Sequence, residues 1–190
     1  MASYTLAWNK TSNYEGPKQW SNRVADRGGE TYAGVSRLKH PDCPIWVIID
    51  EAKKSADFPH NLKDNKELDI AVQGLYYHEY WKPFASLTNQ HLAEVLFDTA
   101  VNCGVWQTIC FIQFTLNWMD DRAKDVLRVD GQLGPVTRGE LMAVDANPEE
   151  ADMLIFGVKV ARANLYYELI GKHPEQMENR SGWFKRIATL

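Results

Sequence analysis

The stretch from Val105 to Met119, VWQTICFIQFTLNWM, constrains this chain more than any other. Its apolar side chains fall on nearly every side of a helix, and it carries no charge. A helix of that kind has little to offer water, so it belongs in the middle of a mostly α domain. It falls short of the roughly 20 apolar residues needed to span a bilayer, and no other run in the sequence comes closer.

The flanking segments fit the same expectation. Before it, Leu92, Val95, Leu96, Thr99 and Ala100 form a helical stripe that Thr88 or Asn89 can cap and Gly104 can stop. After it, Pro148 opens a long helix, roughly Glu149 to Ile170, with Leu154, Ile155, Val158, Ala161 and Leu165 facing inward. Gly171 and Pro174 end it, and SGWFKRIATL closes the chain as a further helix. Towards the N-terminus the periodicity is weaker. A short helix precedes Glu15, with Tyr4, Leu6, Trp8 and Tyr14 as its apolar points. PIWVIIDEAKK leans to helix because DEAKK favours it. Leu62 to Trp81 reads as another helix, stopped by Pro83. ETYAGV alternates enough for a short strand, part of a small hairpin.

Charge and composition narrow the function. The net charge of the 190 residues is -4, with no basic run, which argues against nucleic acid as a partner. Seven tryptophans and eight tyrosines are many. Large aromatics build cores, but they also line sugar-binding grooves. Cys43, Cys103 and Cys110 are odd in number and widely spaced, so they read as buried free thiols and not as a disulfide framework. No cysteine pair suggests zinc, and His78-Glu79 lacks a metalloprotease's second histidine because Lys82 stands in its place. No metal or cofactor is expected. The N-terminus has no basic start followed by an apolar core, so the chain is expected to be made in the cytoplasm without a signal peptide.

Residues 13–36, NYEGPKQWSNRVADRGGETYAGVS, suit neither a helix nor a buried strand. Glu15 stands at a helix end, Asp26 follows, and then Thr31 in the hairpin. A helix leading into a tight hairpin would bring the three to one cleft. Glycosidic cleavage asks for such a set: a carboxylic acid to protonate the leaving oxygen, and a second polar or anionic group to steady the oxocarbenium-like state or direct water. On spacing alone these are ordinary surface residues. Asp26 could simply cap the turn, and Thr31 could be only a hairpin residue.

The residue identities carry more. Glu15-Gly16, then Asp26, Gly28, Gly29, Thr31, Gly34 and Val35, resemble the signature of glycoside hydrolase family 108, which runs E-G-G-Y and then D-x-G-G-x-T-x-x-G-I. YYHEYWKP (76–83) looks like that family's tyrosine-tryptophan helix end, and FDTAVNCG (97–104) like its D-x-A-V-N-x-G helix. DGQLGPVTRGEL (130–141) is similar to the D-G-x-x-G-x-x-T motif of the peptidoglycan-binding part that follows, and GWFKR (182–186) to its closing segment. The family's second glycine is Pro17 here, its tyrosine is Lys18, and two extra residues separate Glu15 from Asp26.

The resemblance implies a lysozyme-like, mostly α domain over residues 1–190, with a short β-hairpin beside the active-site cleft. Residues 1–105 would carry the catalytic motif and 106–190 the peptidoglycan-binding helical part. It implies an N-acetylmuramidase with Glu15 as the catalytic acid and Asp26 or Thr31 assisting, among relatives that include phage-type endolysins and proteins described as secretion activators. Peptidoglycan glycan strands would be the partner, with a holin or another export partner for release to the wall. Trp20, Tyr32, Tyr80, Trp81 and Asn102 are the candidate substrate contacts. The aromatics among them have core packing as the alternative role, and Asp98 and Asn102 have a buried polar network satisfying the hairpin backbone. The changes at Pro17 and Lys18 motivate a second reading, a non-catalytic peptidoglycan-binding or secretion-accessory protein that keeps the fold.

Overall fold

The computed structural model describes residues 1–14, 19–22, 29–119 and 127–190. The fold is mostly α, with eight α-helices and one small three-stranded antiparallel sheet among the described residues. Its contacts cluster into two compact units, Ser12–Glu79 on the one hand, and Met1–Thr11 with Tyr80–Leu190 on the other.

The first of these units holds the sheet and two helices. Strands β1 (Trp20–Ser21), β2 (Thr31–Tyr32) and β3 (Val35–Ser36) are two residues long each and pair in chain order. The expected single strand in ETYAGV is thus two strands. Ala33 at φ 47° and Gly34 at φ 79° fold it back on itself, and two successive positive φ values make the tight turn that matches the twist of paired strands. Helix α2 (Ile45–Ala52) confirms the helical reading of PIWVIIDEAKK and buries Ile45, Trp46 and Ile49. Helix α3 (Lys66–Tyr76) starts at Asn65, whose side chain accepts from the Leu68 N–H. The helix predicted to run from Leu62 to Trp81 is therefore shorter, and continues as a single π-helical turn over Tyr77–Trp81.

The second unit contains α1 (Tyr4–Ser12) up to Thr11, together with α4 (Gln90–Cys103), α5 (Val105–Met119), α6 (Pro135–Asp145), α7 (Pro148–Lys172) and α8 (Arg180–Thr189). Helices α4, α5 and α7 pack together as its core. Asn89 caps α4 by accepting from the Leu92 N–H. The other candidate, Thr88, instead donates its N–H and hydroxyl to the Asp145 carboxylate, both at 2.7 Å, and Asn89 N–H donates to the same group at 2.9 Å. One buried carboxylate at the end of α6 thereby satisfies donors leading into α4.

Helix α5 departs from the sequence reading. Ile109, Phe111, Ile112 and Leu116 are buried, but Trp106, Phe114 and Trp118 are 60%, 62% and 66% exposed. A helix packed on α4, α6 and α7 still has one flank left open. On α7, Leu154, Ile155 and Val158 face inward as expected, while Ala161 and Leu165 are half-buried and Arg162 and Tyr166 take the core positions. Gly157 lets α7 approach α5: a Cβ there would run into the Thr115 side chain.

Candidate active site

Glu15 and Asp26, the expected acid and its assistant, lie outside the described residues, and the strands near them in sequence are described. The register sets Trp20 opposite Tyr32 and Ser21 opposite Thr31, so the ends of the connection containing Asp26 are held together by strand pairing. Gly29 has φ +62°, a conformation that resists any β-branched replacement. Thr31 is half-buried on β2 and donates its hydroxyl to the Gly29 carbonyl at 3.2 Å.

A charge cluster fastens this sheet to α2. Glu30 accepts from Trp20 Nε1 at 2.7 Å, from Arg37 at 2.8 Å and from Lys53 at 2.7 Å. Arg37 and Lys53 also pair with Asp50. Burial pushes the Glu30 carboxyl up, but the bonds from Lys53, Trp20 and Arg37 outweigh it and hold the group below its ordinary range. Asp50 is held well below its ordinary range, by Arg37 first and Lys53 second. Glu30 was not singled out by sequence reasoning. An acid between a glycine pair and the threonine, with cations at Arg37 and Lys53 on either side of α2, is the signal that could have found it.

The candidate aromatics separate. Trp20 is half-buried, with its ring edge-on to Phe58 at 4.7 Å between centroids, and it remains able to meet a ligand. Tyr32 and Trp81 do not: each is 2% exposed. The Tyr32 ring is in the core of its unit. Trp81 sits between Tyr4 and Phe97, 5.7 Å from each ring. A ring with both faces packed cannot stack on a sugar, so these two are corrected to core residues. Tyr80 is half-buried, and with Trp81 and Asn102 it belongs to the unit of Tyr80–Leu190, whereas Trp20, Thr31 and Tyr32 belong to Ser12–Glu79.

Asn102 is exposed and accepts from the Tyr166 hydroxyl. The polar network expected around Asp98 exists, and among the described residues the Asp98 carboxylate meets arginine side chains, not the hairpin backbone. Asp98 is fully buried and takes Arg162 Nη1 at 2.8 Å and Arg186 Nη2 at 2.8 Å. Arg162 Nε in turn donates to Tyr166 Oη at 2.7 Å. An acid on the apolar face of α4 needs a cation, and α7 and α8 supply two.

Unit Ser12–Glu79 also carries a groove of about 550 Å³ lined in part by His40, Cys43, His78 and Glu79. Among the described residues no group of histidine, cysteine and acid side chains is arranged to hold a metal ion.

With the sheet and helices in place, the comparisons decide the family. The model of the family described as glycosyl hydrolase 108 matches residues 8–104, half of the chain. The chain belongs to that family. A second model, described as a predicted peptidoglycan domain, matches residues 109–188. This member of family 108 is thus a glycoside hydrolase by membership, with a peptidoglycan-related second part. Among solved structures it is similar to SagA from Brucella abortus, at TM-score 0.60 and 19% identity, covering 98% of this chain and 90% of that one. At that identity the likeness supports the fold, which is lysozyme-like and mostly α. No curated protein was found to match the chain. Among the described residues of this family member, no helix is long and apolar enough to cross a membrane.

Proposed function

We propose that this chain is an N-acetylmuramidase that hydrolyses the β-1,4 bond between N-acetylmuramic acid and N-acetylglucosamine in peptidoglycan. The observation that carries the reading is the family match over residues 8–104, which spans Glu15, Asp26 and Thr31. The peptidoglycan domain match over 109–188 supports the substrate class.

In this mechanism Glu15 holds a proton and delivers it to the glycosidic oxygen as the C1–O bond breaks. The ring oxygen shares the positive charge that develops at C1, and water completes the substitution. Asp26 or the Thr31 hydroxyl would stabilise that charge or direct the water. Trp20 would offer its half-buried ring to a sugar face. Two carboxylates roughly 5–5.5 Å apart would retain configuration, and roughly 6.5–9.5 Å would leave room for water and invert it. The chemistry calls for no metal or organic cofactor.

The test is incubation with purified sacculi, reducing-end analysis and mass spectrometry of the fragments. New reducing N-acetylmuramic acid ends are expected. Fragments ending in reducing N-acetylglucosamine would refute the bond assignment. Absence of any fragments would favour the non-catalytic reading that Pro17 and Lys18 motivate.

A further inference from the structure

Trp106, in the first turn of α5, is largely exposed, yet its ring is held in place. The indole Nε1 donates to the Asp130 carbonyl at 3.0 Å. Gly131, at φ +70°, packs against the ring, and a Cβ at that position would collide with the indole. The turn that holds the ring is itself immobilised by Gln113, which is 1% exposed. Gln113 Oε1 accepts from the Asp130 and Gly131 N–H groups at 3.0 and 2.9 Å. Its Nε2 donates to Asp130 Oδ1 at 2.9 Å, Gln132 O at 3.1 Å and Thr137 Oγ1 at 3.2 Å. A buried amide with all its capacity used leaves the loop little freedom.

The same loop borders a groove of about 360 Å³, whose polar lining includes Arg128, Asp130, Gln132 and Thr137. The Asp130 carboxyl is held below its ordinary range by the Gln113 amide and the Gln132 N–H, so it stands there as an acceptor at neutral pH. Arg128 and Gln132 are exposed and bring donors. Trp106 is held on the loop whose residues line this groove, and an exposed aromatic ring together with mixed donors and acceptors matches a pyranose. Its axial C–H face is apolar and stacks on a ring, while its equatorial hydroxyl and N-acetyl groups need hydrogen-bond partners at the edge. Rigidity matters because a ring already in place loses little entropy on binding.

We propose that Trp106, the Asp130–Gly134 loop and Thr137 in the first turn of α6 form a saccharide-binding subsite that docks an N-acetylated glycan strand. The subsite lies wholly within Tyr80–Leu190, the unit that does not contain Glu15, Asp26 or Thr31. It rests on the peptidoglycan reading for the identity of the ligand. It also gives the D-G-x-x-G motif a physical reason: Asp130 locks the loop to Gln113, Gly131 admits the indole, and Gly134 leads into α6.

The test uses the full chain and purified sacculi in a cosedimentation assay. Trp106→Ala is expected to weaken binding roughly tenfold or more, as loss of a central aromatic anchor does, and Trp106→Phe to recover most of it. Gln132→Ala, at an exposed position, is expected to weaken binding several-fold at an unchanged melting temperature. Sacculi stripped of their stem peptides by an amidase should bind as well as intact ones. Wild-type binding by both Trp106→Ala and Gln132→Ala would overturn the proposal, as would loss of binding on removal of the stem peptides. Trp106-dependent binding without release of reducing ends would leave the subsite standing and sink the hydrolase reading. Hydrolysis with Trp106-independent binding would do the reverse.

Discussion

Asp98→Asn is the most exacting perturbation of the fold. The substitution keeps the size of the side chain and removes the charge that faces two guanidinium groups. Arg162 is 1% exposed and Arg186 6%, so water has little access to either guanidinium. Arg162 Nη2 already lacks a hydrogen-bond partner among the described residues, and without the carboxylate the neutral hydroxyls of Tyr166 and Thr99 are its described side-chain partners. Removing one member of a buried pair typically costs about 3–5 kcal/mol, because a charge stays behind in a poorly solvated site. For a chain of this size each kcal/mol moves the melting temperature by roughly 2–4 °C, so the variant should melt roughly 6–20 °C lower. Circular dichroism melts at neutral pH would measure it. Adding Arg162→Met to Asp98→Asn removes one stranded cation and should restore part of the loss, giving a coupling that simple additivity would not show. A fall of less than about 3 °C for Asp98→Asn, or strictly additive losses in the double variant, would refute the account of this network.

Glu15→Gln should lower release of reducing ends from sacculi by about 10²–10⁴-fold with little change in melting temperature; near-normal turnover would remove Glu15 from the acid role. Asp26→Asn and Thr31→Ala, assayed on the same sacculi, should split the second role: a loss of turnover with binding intact marks the group that acts in the transition state. Gly157→Ala should destabilise by about 1–3 kcal/mol despite a better helix former, since its Cβ meets buried Thr115, and Thr115→Ala should rescue it in denaturant titrations. Burial pushes the Tyr166 phenol up to about 12, so the folded state keeps a proton that the unfolded chain releases near 10. Stability from this group is complete below about pH 10 and falls as pH rises towards 12; Tyr166→Phe should flatten that alkaline decline in thermal melts, and an unchanged slope would contradict it.

The sequence by itself determined the helical class and most helix boundaries, because those are local properties. The apolar stripes of α4 and α7, the cap at Asn89, the stop at Gly104 and the opening of α7 at Pro148 all follow from side chains within a few residues of one another. The sequence also specified the glycine-rich motif, since only a residue without a Cβ readily accepts the φ that Gly29 adopts. What required the tertiary structure was every question of which side a residue faces and what it meets. Trp20 and Trp81 are alike as letters, yet one ring is half-buried on a strand and the other is enclosed by Tyr4 and Phe97. Helix α5 looks apolar all round, but three neighbouring helices cover only part of its circumference and leave Trp106, Phe114 and Trp118 in the open. Asp98, Arg162 and Arg186 are separated by up to 88 residues, and Trp20 and Glu30 by 10. Pairings like these depend on how packed elements bring side chains together in space, and no local periodicity encodes that.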